Sequence, residues 1–207
     1  MQDIDSWQAN DYLDSTQLFI EKIKTNSKAQ NLNIDISLIE TTINYIKLYH
    51  QGQTRHSGEP YFCHPLEVAS LVMDYLFDTA TITAALLHDV VEDTPSSLQQ
   101  IEFIFGKKIA EIVCTLSKIT NEYQLSKAET FYKINNFQDI ERKAIIIKVI
   151  DRLHNMRTIH YIKSVEKQKR IANETLQIYI PLAKSANLFE IEHELNSIVL
   201  KILNLKP

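Results

Sequence analysis

Residues 143–162 read KAIIIKVIDRLHNMRTIHYI. The apolar part, Ala144 to Ile150, is β-branched enough to fit a buried strand. It runs without a breaker into Asp151-Arg152-Leu153-His154-Asn155, which favours one long buried helix. The rest of the chain agrees with the helical choice. Only 3 of 207 residues are Gly and 5 are Pro, too few turn-formers for a protein of many tight hairpins.

Helical patterning extends in both directions from this run. Ser15 to Ala29 carries an apolar stripe of Phe19, Ile20 and Ile23. Ile36 to His50 follows, with Asp35 as a plausible cap and Ile39, Ile43, Ile46 and Leu48 as apolar contacts. Pro65 suits the first turn of a helix PLEVASLVMDYL, and another helix is expected from Thr79 to Glu92. SSLQQIEFIFG reads as a short helix stopped by Gly106, and helical pattern resumes over Lys107 to Ile119. Thr120 to Lys127 is polar and reads as mobile. Helices over Glu166–Ser185 and Leu188–Leu203 complete the chain. The expectation is an all-α bundle of about 8–11 helices, with residues 1–34 a helical lead-in packed on a domain of residues 35–205.

Hydrophobic residues make up 44% and charged residues 23%, ordinary for a soluble globular protein. A net charge of -4 disfavours a general nucleic-acid binder but leaves room for a small anionic ligand held by a local basic cluster. No apolar run is long enough to span a membrane, and the acidic start MQDIDSWQANDYLD lacks the order of a signal peptide. Cys63 and Cys114 form no metal motif. A reduced, cytoplasmic setting without membrane attachment is expected.

Three clusters carry chemistry. The first is AALLHDVVEDT, Ala84 to Thr94. Burying Asp89 beside His88 is costly unless both are partnered, and a divalent metal such as manganese, iron or zinc is one partner that suits imidazole and carboxylate together. On a continuous helix, Asp89 and Asp93 share a face, as do His88 and Glu92, which places free carboxylates one turn from the ligands. An HD dipeptide alone is a weak signal, since a charged helix end looks the same. The second cluster is HQGQTRHSGEPYFCHP, His50 to Pro65, which holds two of the three glycines and two of the five prolines. It reads as an ordered loop, anchored by Tyr61 and Phe62, that leads to His64 just before a helix. The third is the abrupt change from KAIIIKVI to Asp151, with Asn155 and Thr158 on the same helical face.

These stretches, with Phe105-Gly106 and IANETLQIYIPLA, resemble in sequence and order the hydrolase domain of the RelA/SpoT homologue family, of the HD superfamily, from about Tyr45 to Leu195. The resemblance implies an enzyme that removes the 3′-pyrophosphate of the alarmones ppGpp and pppGpp, generally with manganese. It implies that His64, His88, Asp89 and Asp151 ligate a single Mn2+. Glu92 and Asp93 match the pair that orients or deprotonates the attacking water. Arg55 and Ser57 match positions lining the nucleotide pocket, and Asn155 and Thr158 match positions near base and ribose. Arg55, Lys118 and Lys148 are candidates for balancing phosphate charge, and the Arg55 guanidinium could also stack on a purine.

Two alternatives accompany that reading. One is an HD phosphohydrolase acting on another nucleotide, such as the 2′-phosphate of NADPH. The other is a silent nucleotide-binding domain, against which the six intact positions weigh. The chain departs from the family's pattern at Cys114–Ile119, at Ala128–Lys133 and at Lys143, which stands where an Arg is usual. These departures bear on phosphate recognition rather than on the ligands. Ending at Pro207, the chain resembles a stand-alone small alarmone hydrolase or the hydrolase part of a longer enzyme, without means to synthesise alarmone. The expected partner is a guanosine tetra- or pentaphosphate; the oligomeric state is not fixed by the sequence.

Overall fold

The computed structural model describes the backbone over residues 9–125 and 139–205, with side chains over 15–119 and 139–205. Among these residues the architecture is all-α, and strand pairing is confined to one isolated bridge between Thr54 and Pro60. None of the described helices is long and apolar enough to cross a membrane. The chain divides into two compact units, Met1–Ala110 and Glu111–Pro207.

The first unit is built from α1 (Ala9–Gln30), α2 (Ile36–Tyr49), α3 (Cys63–Val72), α4 (Thr79–Leu86), α5 (Val90–Asp93) and α6 (Leu98–Phe105), and α7 (Lys107–Leu125) begins in it. Helix α1 buries Phe19, Ile20 and Ile23 and packs on α2 and α3; α4 packs on the same two helices. Each such side chain removed from water contributes about 1.5–3 kcal/mol before conformational entropy is subtracted. Helix α2 buries Ile39, Ile43 and Ile46, but Leu48 is 66% exposed, so it lies outside the expected apolar stripe.

Local chemistry sets the ends. Asp35 accepts from the Leu38 N–H at 2.9 Å and Asp78 from the Thr81 N–H at 3.0 Å, each relieving one orphan donor of a first turn. Ser97 and Gln100 form a reciprocal capping box ahead of α6. Gly106, at φ +89°, ends that helix as its sequence suggested. Elsewhere a glycine-poor chain uses asparagine for left-handed helix ends: Asn31, Asn187 and Asn204 all have φ between +52° and +60°.

The second unit begins within α7, whose Ile112, Val113 and Leu116 are buried. It continues with α8 (Asp139–Arg157), a 3-10 turn (Ile159–Tyr161), α9 (Val165–Glu174), a π turn (Thr175–Tyr179), α10 (Ile180–Ser185) and α11 (Phe189–Leu203). The decisive run is therefore helix, and it is buried without a gap from Lys143 to Asp151. A helix apolar on every side belongs in a core. Arg157 clamps α8 to α11 through two 2.7 Å bonds to the Glu194 carboxylate. Arg152 donates to Glu174 at 2.9 Å while its guanidinium lies 3.9 Å from the Tyr179 ring centroid.

Two helices expected to be continuous are interrupted. Glu166–Ser185 contains the π turn, with the Ile180 N–H bonded to the Thr175 carbonyl. Pro181 has no N–H to give, and its ring clashes with a regular carbonyl four residues back, so the helix widens just before it. Thr79–Glu92 breaks at Leu87–Asp89. Helix α7 extends to Leu125, through most of the segment read as mobile. Residues 126–138, including the departure at Ala128–Lys133, lie outside the described residues.

Candidate metal centre

In the first unit, the segment from His50 to Phe62 is held by its own backbone. The Arg55 N–H donates to the Glu59 carbonyl at 2.9 Å, Gly58 to Arg55 at 2.9 Å and Tyr61 to Gln53 at 3.0 Å. Gly52 and Gly58 have φ of +78° and +95°, values open to glycine and costly for other residues. The segment delivers the chain into α3, where His64 is the second helical residue rather than part of the preceding loop. There it is 1% exposed.

His88 and Asp89 lie in the turn between α4 and α5. The cause of the break is His88 itself. Its Nδ1 lies 2.8 Å from the Ala85 carbonyl, the acceptor that an uninterrupted helix would offer to the Asp89 N–H. A carbonyl only accepts, so Nδ1 carries a proton, and Nε2 is the ring nitrogen that would face a metal. The expectation of one continuous helix face is corrected accordingly. Even so, the Asp93 N–H donates to the Asp89 carbonyl at 2.8 Å, so Asp93 still follows Asp89 by one turn. Glu92 and Asp93 are exposed.

The Nε2 atoms of both histidines face one carboxylate oxygen. Asp89 Oδ2 is 3.1 Å from His88 Nε2 and 3.6 Å from His64 Nε2. One ligand atom from each of His64, His88 and Asp89 falls within 4.8 Å of the others. Two imidazole nitrogens and a carboxylate oxygen, one imidazole held in its ligating tautomer by a backbone carbonyl, fit a divalent transition metal.

Tyr61, expected from the sequence to anchor the loop, also reaches this cluster. Its hydroxyl donates to Asp89 Oδ2 at 2.7 Å and reaches Asp93 Oδ2 at 3.0 Å. Burial, then the negative charge of Asp89 and Asp93, pushes this phenol far above its ordinary range, so it stays protonated and donating. His50 stacks on its ring, with centroids 4.7 Å apart, and bonds through Nδ1 to Gln53 Oε1 at 2.8 Å. Gln53 Nε2 in turn donates to the Asp93 carbonyl at 3.1 Å. A shallow depression of about 440 Å³ opens beside Gln53, Thr54, Tyr61 and Asp93.

The remaining predicted residues divide between the units. Arg55 is half-buried, 5.8 Å from the Tyr61 ring centroid, and Ser57 donates to Glu59 at 3.1 Å. In the second unit, Asp151 is 9% exposed and accepts from Asn155 Nδ2 at 2.7 Å, one turn along α8. Thr158 continues that face, with its hydroxyl donating to the His154 carbonyl at 3.1 Å. Lys148 is buried and Lys118 exposed. Cys63 and Cys114 are free thiols; burial and the neighbouring Glu59 and Glu67 push the Cys63 thiol up to about 12, as befits a neutral packing group.

A family model for the HD domain matches residues 42–188. The chain belongs to the HD domain family. Over 153 residues this HD domain is 43% identical to the bifunctional (p)ppGpp synthase/hydrolase SpoT of Escherichia coli (strain K12), covering 72% of this chain and 22% of the relative. Over 184 residues it is 36% identical to the probable guanosine-3′,5′-bis(diphosphate) 3′-pyrophosphohydrolase of Mycoplasma genitalium, covering 84% of this chain and 25% of the relative. The chain thus spans only 22–25% of the length of these curated relatives. Among solved structures, a metazoan ortholog of SpoT that hydrolyzes ppGpp matches with a TM-score of 0.62 and 25% identity, covering 84% of this chain and 99% of the other. The HD domain fold and a His/Asp group able to hold a metal therefore stand together in this chain.

Proposed function

We propose that this HD domain hydrolyses the 3′-pyrophosphate of guanosine tetra- and pentaphosphate, giving GDP or GTP and pyrophosphate, with Mn2+ as the resident metal. The observation that carries the reading is the convergence of His64, His88 and Asp89 within 4.8 Å, with exposed carboxylates beginning one turn on. The names of the relatives supply the substrate.

Asp151 is assigned as the fourth ligand. A bound cation would lower the pKa of a water and polarise a phosphoryl oxygen. The chain's own groups do the rest. Glu92 or Asp93 accepts the proton of the attacking water at a carboxylate oxygen. In-line attack on the phosphorus bonded to the ribose 3′ oxygen forms the bond to the water oxygen and breaks the one to the ribose, and the proton taken up by Glu92 or Asp93 returns to the leaving 3′ oxygen. Arg55, Lys118 and Lys148 balance phosphate charge, Ser57 lines the nucleotide pocket, and Asn155 and Thr158 orient base and ribose.

The test is incubation of purified protein with Mn2+ and ppGpp, pppGpp or NADPH, with the products resolved. Pyrophosphate with GDP or GTP is the expected outcome. Phosphate released from NADPH alone moves the substrate to a 2′-phosphate. Nucleotide binding without turnover of any of the three overturns the enzymatic reading.

A further inference from the structure

We propose that Tyr61 is a positioning residue whose hydroxyl fixes the carboxylates of Asp89 and Asp93 relative to one another. This rests on the metal-centre reading above and adds a group to it. Asp89 belongs to the His/Asp cluster and Asp93 stands among the candidate bases, so their separation matters to both roles.

The contacts single out the hydroxyl. It bonds the same Asp89 oxygen, Oδ2, that faces the Nε2 atoms of His64 and His88. The same hydroxyl lies 3.0 Å from Asp93 Oδ2. One polar atom thus spans two carboxylates that follow each other by a turn, whose exposed member would otherwise sample several rotamers.

The tyrosine is itself immobilised from several sides. Its N–H donates to the Gln53 carbonyl, its ring stacks on buried His50, and the Gln53 side chain reaches the Asp93 carbonyl. A tyrosine serving only as a loop anchor needs its ring and backbone but has no use for the two carboxylate contacts. Partners that orient a ligating carboxylate typically change metal affinity or activity by about 10–100-fold when removed.

Tyr61→Phe deletes the hydroxyl and keeps the ring against His50. Tyr61→Leu deletes both. Mn2+ binding to the metal-free protein is read by the loss of the free-ion EPR signal, and turnover of ppGpp is read separately as kcat and KM. For Tyr61→Phe the expected result is an approximately tenfold weaker Mn2+ affinity. A kcat about tenfold lower, with KM within about threefold, is expected alongside it, and melting should stay close to wild type. Tyr61→Leu should add a loss of thermal stability. A Tyr61→Phe protein with wild-type Mn2+ affinity and kcat overturns the proposal and leaves the metal centre standing. Failure of the wild type itself to bind Mn2+ overturns both.

Discussion

His88 Nδ1 donates to the Ala85 carbonyl at 2.8 Å, and this one bond both breaks a helix and turns Nε2 toward Asp89 Oδ2, 3.1 Å away. His88→Ala removes a metal donor and the group that occupies a buried carbonyl. Losing the hydrogen bond and the packing of this buried side chain costs about 1–3 kcal/mol. In a chain of this size each kcal/mol lowers the melting temperature by about 2–4 °C. The variant should melt several degrees lower without metal and show no stabilisation by Mn2+. Calorimetry with and without the ion checks both parts.

Metal binding should itself stabilise the wild type. A ligand that binds only the folded state contributes RT ln(1 + [L]/Kd), about 2.7 kcal/mol at a hundredfold excess over Kd. Chelation should therefore abolish turnover and lower the melting temperature by about 5–10 °C relative to saturating Mn2+. Restoring Mn2+ should reverse both changes. A melting temperature indifferent to Mn2+ and to chelator would count against a resident metal.

Asp151 and Asn155 should separate by function although the two side chains are bonded at 2.7 Å. Asp151→Ala is expected to lose Mn2+ binding and turnover. Asn155→Ala should mainly raise KM for ppGpp, by about tenfold for one lost hydrogen bond to a bound group. Full activity in the Asp151 variant would remove it from the ligand set.

The Arg157–Glu194 clamp predicts a pH signature. Hydrogen bonding to Arg157 holds the Glu194 carboxyl below its ordinary range, against a smaller upward push from burial. The proton therefore binds the unfolded chain first as pH falls. The stabilisation is present above the unfolded pKa and disappears as pH drops through the folded one. The pair is substantially exposed, so solvent screening limits it to about 0.5–1 kcal/mol. Glu194→Gln should melt about 1–4 °C lower than wild type at pH 7, with the gap closing as acid protonates the carboxylate. A gap unchanged at low pH would mean that the two bonds contribute no charge-dependent stability.

Much of this was legible in the residues because it follows from local rules. Asp35 announces a cap, Gly106 a stop, and an unbroken KAIIIKVI a buried helix. The break at Leu87–Asp89 was not legible, since no Gly or Pro marks it and its cause is a side chain competing for a backbone acceptor. The π turn was within reach, because Pro181 sits inside the patterned run. The helix ends expected at Ala29, Ser185 and Leu203 fall within one residue of those observed, and asparagine takes the left-handed position just after each. Tyr61 could not have been placed, because its acidic partners lie 28 and 32 residues away and only folding brings them to its hydroxyl.

The unbroken burial of α8 from Lys143 to Asp151 also bears on how such a protein can change. Moving the Asp151 backbone means opening that buried stretch of helix, a cooperative event whose cost is set by the unit's core rather than by one contact. The segment around Arg55 is a loop, and loops tolerate sequence change better than a buried helix does. Substitutions are thus expected to accumulate in that loop sooner than along the buried length of α8. Diversification in the loop, with the buried helix conserved, is the route this fold leaves open.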